Sequence, residues 1–158
     1  MDAKIPSQKV DIQVIQIQAK KLAKPPAKPK IDKKLSQKEF KVLMKNLLED
    51  YLYHVFTFLK EEDGTVPWDK TQKFFLSQKM ELLITPIQKK SSEKWIVLKM
   101  EIRRPLPSKK KKEYKRVAYL IQKLKSGSHF VIHFKQKKGA LFVAIGAKFH
   151  IPKKKQGK

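Results

Sequence analysis

The chain has 158 residues, 41% of them apolar, which allows one modest core and is too short for two ordinary domains. Thirty-eight Lys or Arg stand against fourteen Asp or Glu, so the net charge is +24 and the expected partners are polyanions: DNA, RNA, anionic lipid or an acidic protein. The absence of Cys excludes disulfides, thiolate metal sites and a Cys nucleophile, and no apolar run approaches the roughly 18 residues of a membrane span.

Residues 1–35 read as a basic, flexible tail. Lys24-Pro25-Pro26-Ala27-Lys28-Pro29-Lys30 favours extended conformers that do not pack. Inside it, Val10 to Gln18 nearly alternates apolar and polar residues, the pattern of a strand. Two readings stand side by side: a strand that adds to a sheet edge of this chain or of a protein partner, and an unstructured apolar stretch.

A single folded domain is expected over 36–152. Ser36-Gln37-Lys38-Glu39 matches a capping box. Phe40, Leu43, Met44, Leu47, Leu48, Tyr51, Leu52, Val55, Phe56 and Leu59 follow at helical spacing, which predicts a helix of about five turns ending before Gly64. Residues 65–79 are ambiguous: Pro67 suggests the start of a short helix or loop, and Phe74-Phe75-Leu76 equally suggests the start of a strand. Met80–Ile87 and Lys94–Arg103 are strand-like and flank a loop over Lys89–Glu93. Tyr114, Val117, Ala118, Ile121 and Leu124 predict a second helix over about 110–125, with Gly127 as its C′ residue. Four lysines at its start would oppose the helix dipole unless they fray or meet an anion. His129–Lys135 and Ala140–Ile151 read as a last hairpin, and 153–158 as a basic tail. The expected fold is α+β, with order α-β-β-α-β-β and a small, mainly antiparallel sheet.

Side chains alternate across a strand, so each strand has two faces. If the second faces lie side by side, they present Trp95, Lys99, Arg103, His133, Lys135, Phe142 and Lys148 together. Interleaved rings and cations suit base stacking and phosphate contact. The opposing reading is a second face half-buried under the first helix, with charges at its rim. Lys109, Lys110, Lys111, Lys112, Lys115, Arg116, Lys137, Lys138, Lys153, Lys154 and Lys155 supply phosphate contacts in either case.

No catalytic constellation is found. His129 and His133 share a strand face, but no acid follows Glu113 to complete a metal site. Glu101-Ile102-Arg103 has the acid-x-base spacing of some metal-dependent nucleases, yet the preceding strand offers Glu81 where an Asp is needed. No catalytic residue, metal or cofactor is therefore expected. The expectation is a nucleic-acid-binding protein of low sequence specificity, because only three of the basic residues are Arg, the residue that reads guanine bidentately. The ribosome or the nucleoid would be natural settings, in an intracellular protein that is cytoplasmic, or nuclear in a eukaryote. The alternative is an adaptor whose basic arms bind anionic membrane or an acidic protein.

Overall fold

Alternation rather than helical spacing governs most of this chain. The structure is a computed structural model that describes residues 8–106, 114–137 and 139–151. Nine strands are described: β1 (Lys9–Lys20), β2 (Lys30–Ile31), β3 (Val55–Pro67), β4 (Gln72–Phe75), β5 (Glu81–Pro86), β6 (Trp95–Pro105), β7 (Tyr114–Lys125), β8 (Ser128–Gln136) and β9 (Gly139–Phe149). The α-helix described is α1 (Lys41–Asp50). The strands form a five-stranded sheet, β2-β3-β1-β9-β8, and a four-stranded sheet, β4-β5-β6-β7. The fold is therefore mainly β, which corrects the expected α+β class with two helices.

Two compact units make up the chain. One comprises Met1–Gln13, Asp63–Ser128 and Gly146–Lys158, and the other Val14–Glu62 and His129–Ile145. Strands β1, β3, β8 and β9 contribute residues to both, β8 only through Ser128.

The unit of Val14–Glu62 and His129–Ile145 holds α1. Leu43, Met44 and Leu47 lie on one stripe of the helix and join a core with Ile15, Ile17, Phe56, Phe142 and Ala144. The helix stops at Asp50, well short of the expected end. Beyond it, Phe56 is buried, Thr57 exposed and Phe58 half-buried. Aromatic and β-branched residues in that alternation fit a strand, and β1 and β2 supply its neighbours. The expected capping box is not formed: Phe40 holds the N-cap of α1 without a side-chain bond. Asp32 caps locally instead, accepting from Lys34 N–H and from Phe58 N–H, each at 3.1 Å. Gly139 is obligatory, because a Cβ there would lie 1.9 Å from the Ala19 carbonyl oxygen.

The other unit contains the whole four-stranded sheet. Phe74, Leu82, Ile84, Ile96, Leu98, Met100, Ile102 and Leu124 bury one face of it. Strands β5, β6 and β7 are antiparallel neighbours. The expected helix over 110–125 is corrected here to β7, whose Ala118, Leu120, Gln122 and Leu124 pair with inward residues of β6. The register slips once: Ile102 faces Ala118, but Arg103 faces Arg116, so Val117 is an extra residue, a β-bulge. Gly127, at φ +92°, turns the chain between β7 and β8 rather than ending a helix. In the same unit, Asp11 accepts from Thr65 Oγ1 at 2.8 Å and pairs with His150 Nδ1 at 2.9 Å.

The strand expected at Val10–Gln18 runs from Lys9 to Lys20 and lies between β3 and β9. It is an interior strand, not a flexible tail or a sheet edge offered to a partner. Among the described residues, no helix is long and apolar enough to cross a membrane.

Candidate functional site

Directly paired residues on neighbouring strands share a sheet face. The outer face of the four-stranded sheet can therefore be read from the register. Glu81 faces Arg103, Leu83 faces Glu101 and Thr85 faces Lys99. On the other side of β6, Arg103 faces Arg116, Glu101 faces Tyr119, Lys99 faces Ile121, Val97 faces Lys123 and Trp95 faces Lys125. Lys73 and Phe75 extend the face across β4. The cations on this face are Lys73, Lys99, Arg103, Arg116, Lys123 and Lys125, and the acids are Glu81 and Glu101.

Both acids are already engaged. Arg103 Nε donates to Glu81 at 2.8 Å, and Lys73 lies 3.7 Å from the same carboxylate. Burial of Glu81 would raise its pKa. Hydrogen bonds from Arg103 and Tyr114, and the charges of Arg103 and Lys73, outweigh that and hold it below the ordinary carboxylate value. The same bond raises the Tyr114 pKa, since it favours the protonated phenol. Arg116 Nε donates to Glu101 at 3.0 Å. Lys99, Lys123 and Lys125 have no ion-pair partner among the described residues.

Each ring along this face has a cation above it. Lys123 Nζ lies 4.9 Å from the Trp95 ring centre and Arg116 Cζ 5.0 Å from that of Tyr119. Arg103 lies 4.4 Å from the Tyr114 ring and Lys73 5.7 Å from the Phe75 ring. Such exposed contacts are worth about 0.5–1 kcal/mol each. Trp95 is 39% exposed, Tyr119 45% and Ile121 46%, so large apolar groups lie open among the cations. The face can bind an anion and offer it a flat apolar contact as well.

The residues singled out in the sequence divide between the two sheets. Trp95, Lys99, Arg103, Lys115 and Arg116 lie on β6 and β7 of the four-stranded sheet, and Lys115 is exposed. Lys135 and Lys148 are exposed on β8 and β9, and Lys137 is exposed in the turn between those strands. The platform expected from both sets is therefore not one sheet face. Phe142 is corrected outright: it is fully buried, in the core beside α1, and no base can stack on it. His133 is tied to that core, with Nε2 2.9 Å from Tyr53 Oη and its ring stacked on Phe142 at 4.9 Å. Desolvation, and after it the charge of Lys135, lowers its pKa. Lys109, Lys110, Lys111, Lys112, Lys138, Lys153, Lys154 and Lys155 lie outside the described residues, as does the start of the expected second helix.

Sequence reasoning passed over Tyr119, Ile121, Lys123 and Lys125. Their alternation with Ala118, Leu120, Gln122 and Leu124 is the signal that finds them, once residues 114–125 are read as a strand. Among the described residues, no group of three or more His, Asp or Glu could hold a metal ion. No protein-family model, curated protein or solved structure matches this chain.

Proposed function

We propose that the protein binds DNA or RNA, mainly through lysine contacts to phosphate, and acts as a binding protein rather than an enzyme. The observation that carries this reading is the outer face of the four-stranded sheet. Its acids are spent on Arg103 and Arg116, which leaves Lys99, Lys123 and Lys125 for an external anion. The arginines point the same way. Two of the three are committed to carboxylates, so few guanidinium forks remain to read guanine. Low sequence specificity follows. The lysines at 109–112 and 153–155 add to the same field. An intracellular setting on the ribosome or nucleoid would fit this chemistry.

Anisotropy with labelled single-stranded DNA, duplex DNA and structured RNA across a salt series tests the reading. With six to ten phosphate contacts, affinity falls by about 10³–10⁵ between 50 and 200 mM salt. Absence of binding to all three polymers at 50 mM salt would overturn it. Binding to phosphatidylserine vesicles in that case would favour the adaptor alternative.

A further inference from the structure

We infer that the outer face of the four-stranded sheet takes single-stranded nucleic acid, with bases stacked on Trp95 and Tyr119 and phosphates held by Lys99, Lys123 and Lys125. This rests on the nucleic-acid reading above and adds the class of polymer. A duplex keeps its base faces inside its own stack. A single strand offers them to aromatic side chains. A surface that met duplex phosphates alone would need cations and no open rings.

Here rings and cations are interleaved on neighbouring strands. Trp95 faces Lys125, Lys99 faces Ile121, and Tyr119 follows two residues back from Ile121 on the same face. Trp95 and the Glu101 opposite Tyr119 are six residues apart on β6, about 20 Å at the usual strand rise. That distance suits a strand of several nucleotides lying along β6 and β7, with one base at each end and the apolar Ile121 between. A second copy of this chain fits poorly, since it would set cations against cations.

In the free protein the two rings are covered by Lys123 and Arg116. An exposed cation–π contact is weaker than stacking of a base on an aromatic ring. An arriving base therefore displaces the Lys123 ammonium, which is left beside the base's own phosphate. Lys123 acts as a placeholder on Trp95 until the strand arrives. At Tyr119 the base displaces the Arg116 guanidinium from the ring in the same way.

The test uses the full chain, a labelled oligothymidine and a duplex of matched length at 100 mM salt. Trp95→Leu and Tyr119→Leu keep apolar volume at exposed positions and remove the ring. Each is expected to weaken single-strand binding about tenfold and to change duplex binding less than twofold. Trp95→Phe should restore most of the loss. Thermal unfolding of each variant at the wild-type temperature confirms that the fold is intact. The inference falls if both Leu variants bind the single strand within twofold of wild type. If Lys99→Ala and Lys123→Ala then weaken both polymers alike, the phosphate reading stands without it. If wild type binds neither polymer here and none of single-stranded DNA, duplex DNA and structured RNA at 50 mM salt, both readings fall together.

Discussion

Glu81 is a carboxylate with little access to water, held charged by its neighbours. Arg103, Tyr114 and Lys73 all act on it, and their sum holds its pKa below the ordinary value despite burial. A group depressed in this way gives its full stabilisation above the unfolded-state pKa. That stabilisation is lost as pH falls through the folded value. Glu81→Gln should therefore cost about 2 kcal/mol near pH 7, the scale of hydrogen bonds to a charged group. The gap between variant and wild type should close as the solution is taken below the ordinary carboxylate range. Urea unfolding of both proteins at neutral and acid pH measures it. A gap of the same size at every pH would assign the loss to packing. None of this was legible in the sequence. Glu81 stood out there only as a poor match to a nuclease acid, because its partners come from three other strands whose order the sequence does not reveal.

At the scale of elements, the legible strands are those with one clean apolar set. Ile96, Leu98, Met100 and Ile102 alternate without a break, and β6 lies where they predict. Strands β5, β8 and β9 follow from similar runs. One helix is read in place of a strand, and another is read past its end into a strand, for a common reason. Residues 55–59 and 114–125 carry apolar groups on both faces, and a doubly apolar strand supplies enough residues to fill a helical stripe by chance. In β7 the bulge adds to this. Outward positions have even numbers before Val117 and odd numbers after it. The phase slip spaces Tyr114, Val117, Ala118, Ile121 and Leu124 as a helix would. The sheets also differ in what lies at their margins. β1 is flanked by β3 and β9, whereas β8 has a neighbour on one side only among the described residues. Amide hydrogen exchange should thus be slowest along Val14–Ile17 and faster by orders of magnitude at alternate residues of β8. Equal protection of β1 and β8 would contradict the strand order.

For the molecule as a whole, charge was the most legible property and its placement the least. The excess of Lys follows from counting. Where Lys123 sits relative to Trp95 depends on β6 pairing with β7. A net charge of +24 on 158 residues is also a cost to the folded state, since compaction brings like charges together. Raising NaCl from 20 to 200 mM should therefore raise the melting temperature by several degrees, roughly 2–4 °C for each 1 kcal/mol of repulsion screened. Differential scanning calorimetry reads this directly, and a fall would mean that attractive pairs dominate. The interleaved course of the chain has a practical consequence for genetics. It passes from one compact unit to the other at 13–14, 62–63, 128–129 and 145–146. No terminal deletion or internal excision can isolate either unit, and removing the first 35 residues takes the strand between β3 and β9 out of its sheet. Activities of this protein will have to be mapped by point substitution, since truncations that cut into residues 9–149 will report loss of folding.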